Sequence, residues 1–490
     1  MSRQPVLWAS EDEDRTPAAA PERWLAAVQL LALYILGGAG WLAFFSWGES
    51  PWNMVDWPKE HGYYQILTQA IRHRQIPYYQ SFYAQETNRF LALPESNFAP
   101  HVLLLAWLDI PTFFLVHVLL MYSVGFAGCL MIRRYYRLGA LPFLLLFLLF
   151  SFNGYIVSHL SVGHTMWLGY FLLPWFGYYL LRGLDDGFQR RTLLLLVLVL
   201  FGLTLVGAMH ILIWCCMFLF LLALFSTACR RGVLFALILS GLLAMFRLLP
   251  AMQAFWGSTR PSIFASFATL TDLVHAFVTL RPLNYPDSGG QFGKLGWWES
   301  DYYIGLLGTA ALVYLGVVLR FSRDPRLRPF HYPQLDGPMV VMALLAVSYF
   351  YAPVAMLPVP LANAERVASR FLIIPVMLLL ILAAVRLQQV IGDLPRAPLV
   401  WILIGAAYLE TAFTLGEHMW VWRVTELTTL PTYWQFCALQ LEEQSIVPDR
   451  PSLDYAVTLA ASWAVSAAAL VAWVYLFLRA GRPACRAAAV

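Results

Sequence analysis

Charge is scarce in this sequence. Only 12% of its 490 residues are Asp, Glu, Lys or Arg, about half the ~25% of ordinary soluble domains. So few charges could not cover the two or three soluble domains that this length implies, which excludes an ordinary soluble enzyme. Lysine is almost absent, with Lys59 and Lys294 alone. No basic stretch is dense enough to neutralise a run of phosphates, so nucleic acid is not an expected partner. The six cysteines (Cys129, Cys215, Cys216, Cys229, Cys437, Cys485) show no metal-ligand spacing. Most fall in apolar segments, where they read as small buried hydrophobes and not as a disulfide framework. Walker, dinucleotide and zinc-protease motifs are missing, which argues against ATP-driven transport by this chain alone.

What is abundant is apolar and aromatic: 60% hydrophobic residues, 19 Trp and 24 Tyr. Aromatic side chains of that kind collect at membrane–water boundaries. The expected fold class is all-α, a polytopic membrane protein with about twelve spans. The expected limits are 24–47, 111–132, 138–158, 165–182, 192–208, 210–228, 232–250, 302–320, 337–353, 371–386, 398–415 and 455–479. The run 192–228 needs a turn near Gly207-Ala208, and 99–109 is apolar but short, as in a re-entrant or interfacial segment. Residues 1–23 form a polar tail with the acidic run Glu11-Asp12-Glu13-Asp14. The run that follows is long enough to span and reads as an uncleaved signal-anchor. Residues 24–480 then make one transmembrane domain, and 481–490 a short second tail.

Arginine sets the expected orientation. With the N-terminus inside, arginines cluster in every inner connection, for example Arg133, Arg134 and Arg137, or Arg320, Arg323, Arg326 and Arg328. Both ends are then cytoplasmic and the long loops 48–98, 251–301, 354–370 and 416–454 lie outside. A structured loop of such length is usually functional. Within the first, Tyr63 to Ile71 has helical apolar spacing and predicts a surface helix. No internal repeat or low-complexity tract is found.

Four constellations carry possible chemistry. In Asp56-Trp57-Pro58-Lys59-Glu60-His61 the two carboxylates are four residues apart, on one face of a helix. They suit a general base or a cation site, or equally a helix start with Asp56 as cap and Glu60 in solvent. His159 and His164 flank a short turn, able to bind a phosphate or sugar or simply to cap carbonyls; His210 sits in another tight turn. Arg366 and Arg370 can grip a phosphate from one helix face, or anchor that helix to lipid headgroups. The loop with Arg281, Lys294, Trp297, Trp298, Glu299 and Asp301 adds aromatic platforms and mixed charge. Glu410, inside a predicted span, either pairs with Arg247 or lies near the span's outer end.

In their order and common outer placement these stretches resemble the GT-C superfamily of integral membrane glycosyltransferases, particularly YfhO-type bacterial membrane proteins. The resemblance rests on Asp56-Trp57-Pro58-Lys59-Glu60, Arg74-Gln75-Ile76-Pro77-Tyr78-Tyr79 and Asn153-Gly154-Tyr155 with His159-Leu160 and Gly163-His164. It extends through Glu299-Ser300-Asp301-Tyr302-Tyr303-Ile304-Gly305-Leu306 and Arg366-Val367-Ala368-Ser369-Arg370-Phe371. It implies a polyprenyl-phosphate sugar donor, a lipid- or glycan-linked acceptor, and a periplasmic active face on the bacterial inner membrane. Asp56 would be the base in an inverting displacement. Glu60 or His164 would assist or hold a divalent cation (Mg or Mn), and Arg366 and Arg370 would steady the leaving phosphate. His159, Trp298, Glu299 and Asp301 join the substrate-binding residues. The sequence departs from better-known members in having no clear Asp-x-Asp pair among these stretches, Asp12-Glu13-Asp14 lying in the polar tail, and no large soluble C-terminal domain. The alternative is a transporter or flippase of a lipid-linked saccharide, for which Glu410 with Arg247 is the best sign.

Overall fold

The computed structural model describes residues 20–50, 52, 56–82, 86–255, 266–280, 296–357, 365–424, 446–447 and 450–480. Cys437, Cys485, Arg281 and Lys294 lie outside the described residues. The helices in chain order are α1 (Ala20–Phe44), α2 (Trp57–His73), α3 (Ile110–Tyr136), α4 (Ala140–Ser151), α5 (Gly154–Ser161), α6 (Leu173–Asp186), α7 (Arg190–Val206), α8 (Met209–Phe225) and α9 (Thr227–Leu243). They continue as α10 (Met245–Phe255), α11 (Leu270–Val278), α12 (Gly305–Ala311), α13 (Asp336–Leu345), α14 (Ser348–Ala355), α15 (Ile373–Val390), α16 (Pro398–Trp422) and α17 (Leu453–Ala480).

Among the described residues six stretches are long and apolar enough to cross a membrane: Trp24–Phe44, Ile110–Tyr136, Ala140–Ser161, Ala368–Asp393, Pro398–Trp422 and Leu453–Ala480. A seventh arises if α9 and α10, bent by 69°, count as one span. This is a helical protein with the build of a membrane protein, but the described residues hold six or seven long spans and not the expected twelve. Several predicted runs are shorter or broken. The run 165–182 starts as a 3-10 helix, Thr165–Leu172, before α6. The run 337–353 is split between α13 and α14. α7 and α8 have 17 residues each, separated at Gly207 as expected. Apolar composition predicts burial in lipid or protein equally well, and here part of it serves the protein interior.

Helix α15 is the hub. In its span 94% of the apolar window is buried, against 11–17% in α1, α16 and α17, whose outward faces are apolar. Arg386 of α15, at the inner end of the predicted span 371–386, is fully buried. Its guanidinium donates to the carbonyls of Leu315 (3.1 Å), Gly316 and Phe330 (3.1 Å). Leu312–Val317 is a π-helical stretch, which loosens the regular carbonyl pairing and leaves acceptors for a buried cation.

The predicted surface helix is α2, longer than its apolar pattern at both ends. Pro58 sits in its first turn, where no hydrogen bond is lost. One face buries Trp57, Tyr64, Ile66, Leu67 and Ala70. The short apolar run after it is a 3-10 helix, Pro100–Ala106. A small sheet was not expected: β1 (Tyr79–Phe82) pairs antiparallel with β2 (Glu86–Arg89) and with β3 (Ile446–Val447). Its strands are short and lack hydrophobic alternation, so sequence periodicity could not reveal them.

Candidate functional site

The start of α2 is bolted to the turn after α5. Asp56 N–H donates to Val162 O at 2.9 Å, and the Trp57 indole N–H donates to Ser161 O at 3.1 Å. Gly163 has φ +88°, and a Cβ there would run into the Asp56–Trp57 backbone. Glycine is therefore required both for the turn and for the close approach. A second clamp joins α5 to the segment after the 3-10 turn Trp297–Glu299: Gly154 N–H donates to Tyr303 O at 2.8 Å. A third joins that segment to Ala368–Leu372, since Tyr302 Oη donates to Ser369 O and Ser369 Oγ to Glu299 O.

These clamps help bring charges from six distant stretches into one cluster. Lys59 Nζ stands 3.1 Å from Asp56 Oδ2, 2.8 Å from Glu95 Oε2 and 3.7 Å from Glu60 Oε1. His164 Nε2 lies 3.3 Å from Asp56 Oδ2. His164 Nδ1 is 2.8 Å from His159 Nδ1, and His159 Nε2 is 3.9 Å from Glu299 Oε2. Arg370 grips Glu299 with Nε at 2.7 Å and Nη2 at 2.6 Å, stacks over Trp167 at 4.8 Å and reaches Glu365 at 3.5 Å. Glu365 accepts from His210 at 2.9 Å and from the Trp214 indole at 3.2 Å.

Asp56 does not cap α2 with its side chain; its carboxylate faces Lys59 and His164 instead. Burial works to raise its pKa, but Lys59 and His164 outweigh burial and hold it well below the usual carboxylate range. Glu95 is likewise opposed by burial yet lowered by Lys59. Glu60 goes the other way: burial pushes it up to about 8, against the pull of Lys59, and Thr165 Oγ1 donates to its Oε2. The predicted pairing of Asp56 and Glu60 thus becomes one ionised and one protonated carboxyl near neutral pH, an acid–base split of the kind active sites use.

The split has a stability consequence. A carboxyl raised in the folded state stabilises the fold below its unfolded pKa of 4.5 and stops doing so as pH rises through about 8. Asp56 and Glu95, lowered when folded, lose their contributions only in acid, outside that window. The melting temperature of wild type should therefore fall relative to Glu60→Gln as pH is raised from 5 to 8.5. Thermal melts of both proteins across that range check this, and parallel curves would contradict it.

Of the predicted residues, Asp56, Glu60, His159, His164, Glu299 and Arg370 come together. Asp301 does not: it is fully buried, accepts from Tyr303 N–H at 3.0 Å and pairs with His418 Nε2 at 3.0 Å. Trp298 lies over Gly296, so its ring is folded on its own turn. Arg366 and Arg370 do not share a helix face. Residues 365–367 precede the 3-10 helix, Arg366 is exposed and Arg370 is buried. Arg247 is not paired with Glu410. It donates to Ser96 O (2.9 Å) and Leu93 O (2.6 Å) and stacks on Phe98. Sequence reasoning missed Glu95, Thr165 and Trp167, and gave Lys59 and Glu365 no role of their own. Glu95, Thr165 and Trp167 lie in no readable motif, whereas Lys59, inside the Asp56–His61 stretch and beside two acids in so lysine-poor a chain, was a usable signal.

Comparison with protein-family models, with curated proteins and with solved structures finds no match in any of the three.

Proposed function

We propose that this chain is a membrane glycosyltransferase of GT-C type that moves a sugar from a polyprenyl-phosphate donor to an acceptor on the outer face of the membrane. One observation carries the reading. The charged cluster adjoins an apolar cavity of about 560 Å³, with His210 and Glu365 at its polar end and Leu212, Ile213, Met217, Phe220, Leu248 and Phe371 among its walls. An amphiphile with a charged head and a long hydrocarbon tail needs that pairing of environments.

Asp56 Oδ would take the proton of the acceptor hydroxyl as its oxygen forms the new bond to the anomeric carbon. The bond to the phosphate oxygen breaks with its electron pair, and the sugar is inverted. Both Lys59 and His164 bear on Oδ2, which fixes the carboxylate's orientation and keeps it ionised. Arg370 is buried and held by Glu299 and Glu365, whereas Arg366 is exposed to an incoming ligand, so Arg366 is the cation assigned to the leaving phosphate.

Because each buried CH₂ contributes about 0.8 kcal/mol, the tail should matter greatly. Donors that differ only in isoprenoid length, assayed with the purified protein in lipid, should show KM rising at least roughly tenfold when most of the tail is removed. Equal KM for long and truncated donors would take the cavity out of the donor site.

A further inference from the structure

Arg247 is buried, and among the described residues no carboxylate pairs with it. A cation so placed is costly unless hydrogen bonds hold it. It stands just past the 69° bend between α9 and α10. The Phe246 N–H at that break donates to Ser466 Oγ of α17 at 2.8 Å. From there the guanidinium forks onto one tight turn: Nη1 donates to Ser96 O at 2.9 Å and Nη2 to Leu93 O at 2.6 Å. It also stacks over Phe98 at 4.4 Å. Glu95 lies between the two gripped carbonyls, and the turn between α7 and α8 closes on it from another side. Gly207, at φ +80°, comes so near that a Cβ there would meet Glu95 O at 2.5 Å and Ser96 O at 2.8 Å. Phe98 N–H donates to Leu205 O at 2.7 Å.

We infer that Arg247 is a positioning residue: by gripping the Leu93–Ser96 turn it keeps the Glu95 carboxylate on Lys59, and Lys59 on Asp56. The chain of contacts is short. Glu95 Oε2 lies 2.8 Å from Lys59 Nζ, and Lys59 Nζ lies 3.1 Å from Asp56 Oδ2. Burial opposes the charge on Lys59, yet Glu95, then Asp56 and Glu60, hold its pKa well above the ordinary lysine range. Released from Glu95, the ammonium is free to move between Asp56 and Glu60, and the orientation of the base is no longer fixed. A guanidinium suits the task because its fork reaches two carbonyls at once, which an ammonium cannot do. The catalytic consequence rests on reading Asp56 as the acceptor base; the grip on Glu95 does not.

Lysine labelling tests the grip without a transfer assay. Lys59 has only Lys294 beside it in the sequence, and its side chain is 23% exposed, within reach of a small acylating reagent. The full chain in detergent is treated with acetic anhydride, and acetylation of Lys59 is read by mass spectrometry. Glu95→Gln and Arg247→Met should each raise it at least roughly tenfold over wild type, and Arg247→Lys should raise it less. Arg247→Met should also lower kcat for sugar transfer roughly tenfold or more. The double variant Arg247→Met with Glu95→Gln should match Glu95→Gln alone in labelling and in kcat, whereas a general packing defect would add to it. If Arg247→Met fails to fold, Arg247→Lys and Glu95→Gln decide. Wild-type labelling of Lys59 in a folded Arg247 variant overturns the inference, as does a double variant worse than Glu95→Gln alone. Raised labelling in a chain that transfers no sugar removes the transferase reading alone. Transfer by wild type, with labelling unchanged in the Arg247 variants, removes the role of Arg247 alone.

Discussion

Asp56→Asn should lower sugar transfer by roughly 10³-fold while the protein still folds, with a lower melting temperature because the carboxylate's pairing with Lys59 and His164 is lost. The expectation of intact folding comes from the geometry. The carboxylate makes no cap bond to α2, and Lys59 keeps Glu95 at 2.8 Å when the Asp56 charge is removed. Asparagine also preserves the shape presented to His164. The expectation of lost activity comes from the charge: Asp56 is the ionised member of the carboxyl pair, and an amide cannot take the acceptor proton. Asp56→Glu should recover part of the rate, because the base returns in a displaced position. Steady-state transfer rates of the three proteins, with melting curves beside them, check both halves. A variant that unfolds would make Asp56 structural, and an Asp56→Asn protein at full rate would remove it as base.

The second large effect is on stability. Arg370→Met should cost about 3–5 kcal/mol, seen as a marked fall in melting temperature or as failure to accumulate. The guanidinium lies between Glu299 and Glu365, and all three side chains are buried. Removing it leaves two carboxylates close together without a cation, and burial makes each costly. Methionine keeps most of the volume, so lost packing is a minor part of the change. Arg370→Lys should lie between wild type and Arg370→Met, since an ammonium keeps the charge but cannot fork across both oxygens of Glu299. Adding Glu299→Gln to Arg370→Met should recover part of the loss. Arg370→Met melting like wild type would mean that the pair is not the buried ion pair described here.

The helical membrane class could be read from composition, because low charge and high aromatic content survive any error in boundaries. Helix α2, its Pro58 start and the Gly207 break were equally readable from local signals. The span count was not. Apolar runs such as 337–353 look alike whether they meet lipid or protein, and only packing divides them into α13 and α14. Of the site, the residues that came together were those in short polar motifs beside apolar runs: Asp56, Glu60, His159, His164, Glu299 and Arg370. Asp301 and Trp298 shared the same motif yet turn away, because side-chain direction over one or two residues depends on contacts with His418 and Gly296. Lys59 and Glu365 illustrate the opposite case. Their importance lies in the distant groups they touch, Glu95 for one and His210 with Trp214 for the other, and no local pattern encodes such partners.

The most direct test is to give the purified protein, in lipid, a polyprenyl-phosphate donor labelled in the sugar, and to follow the label in wild type and Asp56→Ala. Label leaving the donor for an acceptor with wild type, and staying on the donor with Asp56→Ala, is the predicted result. Label remaining on the donor with both proteins, across a panel of donors and acceptors, would contradict the transferase reading.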